Sequence, residues 1–499
     1  MGGLVPHGRL TLFVLKLLLL IASFSLATSG LNASPERALI AAAGQFQPGR
    51  SGGTTGSNTY WISTNATRNF VNPKFHVGMS SAAPLDGSTA ATFDDNMNHI
   101  PPHSRIYLLP GTYQTLGDAA WGPKTGQQII GSGMDITVLQ FPSNAIVSGR
   151  LVRPHLIKPL SPYRQTNILV SDLTLDGNYQ PGTIITINGI GLHGSGNTIQ
   201  RVKLINTAAF SSAPTNYAEA WGLLIESFPF SEASGNTIAD CVVSNFTCNH
   251  HNNLSALGLL ENNSGKILNN LIVQKTSNSV FGFYPGSHQS IAEGNTLLGV
   301  AVGSHYDDGT GVTNVLIVNN RFINCSAAID WANGVCQNVT IAFNEIVLGR
   351  FNARQFSTEA INFYPPPAAY RNITVFGNTV SLALDYKQIA PAHFIVARNA
   401  DGLLIQNNTV DPHLTNYFSH CTNVILGNNH DPAGNDLATR HASYYSGGAI
   451  PQNRKAAPSF AEIGRLTGKV FIWSSNSTPT TIYASYYDAK TNLQTRWSK

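Results

Sequence analysis

The chain has 499 residues, of which 11% are charged and 42% hydrophobic, with 45 Gly and 47 Asn. An average soluble domain carries roughly 25% charged residues, and low charge combined with ample apolar content excludes intrinsic disorder, coiled coils and long helical arrays. The net charge is only +4, and no dense Lys/Arg stripe occurs, which argues against nucleic acid as a partner because phosphate binding needs clustered cations.

Residues 1–29 read as a signal peptide. Arg9 ends a short polar start, Thr11 to Ala27 is an apolar run broken once by Lys16, and Ser25-Leu26-Ala27 supplies small residues at a cleavage point. That run is near the lower limit of about 17–25 residues for a membrane span, and no other apolar run approaches it. No membrane span is therefore expected after cleavage, and the rest of the chain is expected outside the cytoplasm, secreted, periplasmic or at the cell surface. Residues 30–74 read as an N-terminal extension. Thr92 to Ile100 carries apolar residues at 93, 97 and 100, a spacing that predicts a short amphipathic helix.

Two strand-like stretches follow, Arg105-Ile-Tyr-Leu-Leu-Pro-Gly-Thr-Tyr113 and Gln128-Ile-Ile-Gly-Ser-Gly-Met-Asp-Ile-Thr-Val-Leu139. Gly131-Ser-Gly133 lacks the third glycine and the following helix of a nucleotide loop, so it reads as a tight corner. From Asn167 onward the chain repeats itself. Segments starting at Asn197, Asn236, Lys266, Asn314, Asn338, Asn372, Gly402 and Asn423 each hold a short β-branched strand, an Asn or Gly corner and a second short strand. Starts at 266, 290, 314 and 338 are 24 residues apart, and the other intervals are longer or shorter as loops require. Strands this short at this period do not make hairpins. They fit a parallel β-helix whose coils stack at about 4.8 Å, with Val, Ile and Leu in inward columns and Asn stacked in ladders at the corners. An open coil is an exposed edge, so the 92–100 helix is expected to cap the N-terminal end. Residues 431–499 lose the repeat and read as a C-terminal cap or appendage.

The 105–113 and 128–139 stretches resemble the opening coils of pectin-lyase-like proteins, in which a strand ending in Pro-Gly-x-Tyr precedes a coil with Gly-x-Gly and a following Thr. The resemblance covers residues 75–430. It implies an all-β, right-handed parallel β-helix, and a superfamily that includes polysaccharide lyases, polygalacturonase-like hydrolases, epimerases, phage tailspikes and proteins without known catalysis. Fold alone does not select among these.

The five cysteines, Cys241, Cys248, Cys325, Cys336 and Cys421, match no zinc spacing. Local bridges Cys241–Cys248 and Cys325–Cys336 and buried thiols are equally compatible with their positions. Ten Asn-x-Ser/Thr sequons occur, several inside the Asn-rich repeat.

Setting the coils in register on their starting positions places Leu257, Phe281, His305, Ile329 and Phe363 in one inward column. The same register turns Tyr284, Tyr306, Asp308, Asp330 and Tyr364 outward on one face, with Asp307 and Trp331 between them. Rings suit the apolar faces of pyranoses, and acids suit their hydroxyls or the glycosidic bond. Asp308 and Asp330, on adjacent coils, are expected within the roughly 5–10 Å that glycoside hydrolysis uses, and neighbouring carboxylates push one pKa upward as a general acid requires. The catalytic candidates are Asp308, Asp330, Asp307, His305 and Tyr306. The substrate-binding candidates are Tyr284, Trp331, Tyr364 and Arg354.

Asp307-Asp308 matches only the Asp-Asp element of polygalacturonase-like hydrolases. The third Asp follows it, His193-Gly194 lies on the wrong side, and no Arg-Ile-Lys occurs. Lyase chemistry would use His305 and Tyr306, or Ca²⁺ with Arg354 as the nearest base; no other cofactor is implied. Asp411-Pro-His413 is similar to a motif of alginate epimerases but has different flanks, and reads as a coil end. His250-His251 reads as a loop feature, since neighbours in a strand point opposite ways. The sequence thus points to a secreted protein that binds a polysaccharide and cleaves it, hydrolysis by paired Asp being preferred to elimination, with a non-catalytic glycan-binding or structural protein as the rival.

Overall fold

The computed structural model describes most residues from 58 to 437, other than 67–77, 149–150, 152, 161–164, 213–217, 227–232, 249–252, 261, 275–279, 308–310, 333, 350–357, 364–368, 384–391 and 436; beyond these it describes 442–445, 470–475, 478–488 and 493–498. The chain divides into two units, 1–55 and 56–499. Everything below belongs to the second, and the leader expected at 1–29 lies outside the described residues. Among the described residues no helix is long and apolar enough to cross a membrane.

The expected amphipathic helix forms as α1, Ala90–His99. Thr89 caps it by accepting from Thr92 N, and Phe93 and Met97 are buried on one face with the C-cap residue Ile100 behind them. Parallel pairing already includes Thr59–Ser63, which lies against Arg105–Leu108, within the stretch read as an extension. From there successive short strands stack in parallel, coil on coil, as a right-handed β-helix. Strands Val470–Ser475, Thr478–Asp488 and Leu493–Ser498 form a three-stranded antiparallel sheet.

Two columns of branched residues form the core. Ile199, Ile238, Ile267, Ala292, Ile317, Ile341, Val375 and Ile405 face one another on consecutive coils, and so do Leu204, Val243, Ile272, Leu297, Phe322, Ile346, Val380 and Val410. All are essentially inaccessible to water, which is the main favourable term in stacking the coils.

The second column is accommodated by small residues on the sheet facing it. A Cβ added to Gly282 would lie 2.0 Å from Leu297 Cδ2, and one added to Gly303 would lie 2.2 Å from Phe322 Cδ1. These glycines continue as Ala328 and Ala360 on the next coils, so bulk on one wall meets a hollow on the other, as close packing requires.

The asparagines form the ladder expected of them. Asn270, Asn295, Asn320, Asn344, Asn378, Asn408 and Asn429 are buried, and each Nδ2 donates to the Oδ1 of the next at 2.8–3.0 Å. Each ladder residue follows a left-handed corner: Asn269, Gly294, Asn319, Phe343, Gly377, Asn407 and Asn428 all have φ between 54° and 69°. Six of the seven are Asn or Gly, the residues that tolerate this backbone without strain, and Phe343 is the exception. A second, exposed ladder runs through Asn314, Asn338 and Asn372.

The five cysteines are buried free thiols, so neither local bridge forms.

A second long sheet of the stack carries the site. We number its consecutive strands β1 (His155–Ile157), β2 (Thr186–His193), β3 (Glu219–Glu226), β4 (Asn253–Leu260), β5 (Val280–Tyr284), β6 (Val302–Tyr306), β7 (Ala327–Trp331), β8 (Glu359–Phe363), β9 (His393–Arg398) and β10 (Thr415–Ser419). All neighbours in this series pair in parallel.

Candidate functional site

Register decides what this sheet presents. Lys266, Ile291, Leu316 and Thr340 face one another, so the coils step by 25, 25 and 24 residues. Between β5 and β6 the step is only 21, because Phe283 faces Ser304, and between β7 and β8 it is 32, because Ile329 faces Ile361. Loops of unequal length therefore precede the site sheet, and a register set on the starting segments does not carry over to it. A slip in register carries each side chain into another column.

The true column on this face runs Gly191, Leu224, Gly258, Tyr284, His305, Asp330 and Asn362. His305, expected in the inward apolar column, instead lies between Tyr284 and Asp330. Tyr306, expected to face out, pairs with Trp331, and Trp331 with Phe363. Tyr306 and Trp331 are both fully buried. Their rings lie 5.9 Å apart in a run continuing through Phe363 to Tyr370. Trp331 Nε1 donates to Ser304 Oγ at 3.1 Å, and Tyr370 Oη donates to the Trp331 carbonyl at 2.7 Å. The roles expected of Tyr306 as a catalytic group and of Trp331 as a sugar platform are thus corrected: both rings are core, with their polar atoms or carbonyls already used. Asp308, Tyr364 and Arg354 lie outside the described residues.

The residues brought together are Tyr284, His305, Asp307 and Asp330. His305 Nε2 is 3.4 Å from Asp307 Oδ2, and its Nδ1 is 3.8 Å from Asp330 Oδ2. The imidazole stacks on Phe281 at 4.2 Å and stands edge-on to Tyr284 at 5.9 Å, which fixes its plane. Tyr284 Oη donates to Asp307 Oδ1 at 2.7 Å and accepts from the Asp307 backbone N–H at 3.0 Å. Asn362 Nδ2 donates to Asp330 Oδ1 at 2.8 Å. Asp307 keeps 52% of its side chain accessible and Asp330 only 14%.

These surroundings drive the two carboxyls apart. The hydrogen bond from His305 holds Asp307 below the usual carboxylate range against partial desolvation, with the imidazole's charge and Tyr284 acting the same way. Burial pushes Asp330 above that range, opposed by His305 and Asn362 and reinforced by the charge of Asp307. One carboxylate held ionised beside one favoured as the acid is the usual arrangement of a base and an acid working at one pH.

Three further residues join this face without having been singled out in the sequence. Asn362 sits in Ile361-Asn362-Phe363, a polar residue between apolar ones in a strand, the same signal that marked Asp330. Glu219 opens β3, and desolvation together with the charge of Asp307 raises its carboxyl. Trp221 is half-buried and stands edge-on to Tyr284 at 5.7 Å. It lies over Gly258, where a Cβ would come within 2.5 Å of its ring. Among the described residues no group of three or more His, Cys, Asp or Glu is placed to hold a metal ion.

No family model matches the sequence, and no curated protein matches it. Among solved structures, a mutant tailspike protein of E. coli bacteriophage HK620 in complex with pentasaccharide aligns with a TM-score of 0.50 at 11% identity, over 73% of this chain and 66% of that one. The present chain thus spans about two thirds of that tailspike. The mannuronan C-5 epimerase AlgE4 A-module of Azotobacter vinelandii aligns with a TM-score of 0.41 at 15% identity, over 77% of this chain and 100% of that one. At these identities the likeness is one of fold. The chain is a right-handed parallel β-helix.

Proposed function

We propose that the protein is a secreted enzyme that binds a polysaccharide along the Gly191–Asn362 face and hydrolyses a glycosidic bond between Asp330 and Asp307. The observation that supports this reading is the His305 imidazole with a carboxylate on each of its two nitrogens, one acid pushed up and the other held down. Asp330, protonated, donates to the departing glycosidic oxygen. Asp307, ionised and half exposed, takes a proton from the attacking water. Trp221 offers its ring to a sugar face in the place first expected of Trp331. A tailspike of the same fold holds a pentasaccharide, which makes a saccharide a reasonable occupant without specifying this one.

The test is a polysaccharide panel, with and without Ca²⁺, reading reducing ends and unsaturated products together. New reducing ends without unsaturation, lost in Asp307→Asn and Asp330→Asn, support the hydrolase. Unsaturated ends would replace hydrolysis by elimination with His305 as base. Affinity without any product would leave a glycan-binding protein.

A further inference from the structure

The strands whose inner column includes Ala292, Ile317, Ile341, Val375 and Ile405 turn a second column outward. In register it runs Ile291, Leu316, Thr340, Thr374, Leu404 and Ile425. Read from either end, the order of residue types is the same, Ile-Leu-Thr-Thr-Leu-Ile, with its midpoint between Thr340 and Thr374. Leu316 and Ile425 are among the few large apolar side chains left exposed. On the five coils from Leu316 to Ile425, neither this column, nor the next outward one, nor the corner after it carries an ionisable side chain. A face built for solvent usually carries charges of both signs.

The midpoint also holds an aromatic pair. Phe343 occupies its left-handed corner at φ 56°, a backbone disfavoured for any residue with a bulky Cβ substituent. It remains 50% exposed. Its ring stands edge-on to Phe376 at 5.4 Å and leans toward the next coil over Gly377, where a Cβ would lie 2.8 Å from Phe343 Cδ1. A large ring held in a disfavoured conformation, yet half in water, points to a use outside the chain's own packing. Phe376 faces Ala342 in register, so a large and a small residue also flank the midpoint.

We infer that this face is a two-fold interface between two copies of the chain. An isologous contact presents one patch to itself, so that residue i meets j and j meets i. Consider a two-fold axis between the two sheets, along the strands and through the Thr340–Thr374 midpoint. It reverses the order of the coils and keeps each column opposite itself. Ile291 then meets Ile425 of the second copy, Leu316 meets Leu404, Thr340 meets Thr374 and Phe376 meets Ala342. The two Phe343 rings, each leaning toward the midpoint, come together at the axis, and central aromatic anchors supply most of the energy of such contacts. Six coils at about 4.8 Å and strands of about five residues at about 3.3 Å make a face of roughly 29 by 17 Å, or about 500 Å² on each copy. The total of about 1,000 Å² is the lower bound of a specific interface, which makes the dimer reversible and concentration-dependent.

Sedimentation velocity of the full chain, from micromolar to millimolar concentration, should show a monomer–dimer equilibrium. Phe343→Asn suits the left-handed corner, so it should keep or raise the unfolding midpoint while weakening the dimer by about tenfold or more. Thr340→Lys and Thr374→Glu should each weaken the dimer when alone, because each buries an unpaired charge near the axis. An equimolar mixture of the two should associate, since the ammonium introduced in one copy then faces the carboxylate introduced in the other. A chain that stays monomeric throughout, a Phe343→Asn variant that dimerises as well as the parent, or a mixture no better than its components overturns the interface. The measurement contains no glycan, so its outcome is independent of the hydrolase reading.

Discussion

Asp307 and Asp330 face opposite nitrogens of the His305 ring, at 3.4 Å and 3.8 Å. They come from the end of one coil and the strand of the next. Replacing either by Asn should lower kcat by about 10²–10⁴, the usual contribution of a general acid or base. Both variants should bind polymer normally, which a tryptophan-fluorescence titration would check.

The two opposed pKa shifts define a pH profile. Activity requires Asp307 ionised and Asp330 protonated, so kcat/KM rises through a pKa below the ordinary carboxylate range and falls through one above it. Asn362 stabilises the ionised form of Asp330. Asn362→Leu should therefore move the alkaline limb to higher pH and leave the acid limb in place. An unchanged alkaline limb would dissociate Asp330 from the profile.

Asp94 on α1 couples pH to stability. Thr115 Oγ1 donates to it at 2.5 Å and Leu116 N at 3.0 Å, but burial dominates and its carboxyl is pushed up to about 6. The folded state then holds this proton more tightly than the unfolded chain. Its contribution is fully present below the unfolded value of 3.8 and is lost as pH rises through about 6, a change of about 3 kcal/mol. Denaturant unfolding of Asp94→Asn should show a flatter pH dependence between pH 4 and 7.

The two tryptophans should separate cleanly. Trp331→Ala empties a fully buried site and should destabilise the fold by about 3–5 kcal/mol. Trp221→Ala, at a half-buried position over Gly258, should raise KM several-fold with little change in unfolding midpoint. The opposite pattern would return the sugar platform to Trp331.

Asn320 stands mid-ladder, donating to Asn344 Oδ1 and the Ala292 carbonyl and accepting from Asn295. Asn320→Leu would strand several buried polar atoms at once, each costing about 1–3 kcal/mol. A loss of ~3 kcal/mol or more in denaturant unfolding is expected, whereas Asn338→Gly, which keeps the exposed left-handed corner at φ 56°, should cost under about 1 kcal/mol.

The sequence by itself determined the coil. Recurrent β-branched segments separated by Asn or Gly dictate short strands, left-handed corners and a stacked ladder, because each of those features depends on residue type at local spacing. The helix Ala90–His99 was equally legible, from three apolar positions and nothing further away. The face that carries the site was not. Tyr284, His305, Asp307 and Asp330 could be named as polar or aromatic residues in or beside strands, but their order across the sheet depended on a 21-residue step between Phe283 and Ser304 and a 32-residue step between Ile329 and Ile361. Loop length is free to vary where the backbone leaves the stack, so local pattern does not constrain it. Only the tertiary pairing put His305 between its two carboxylates, sent Tyr306 and Trp331 into the core, and laid Trp221 over Gly258 beside Tyr284.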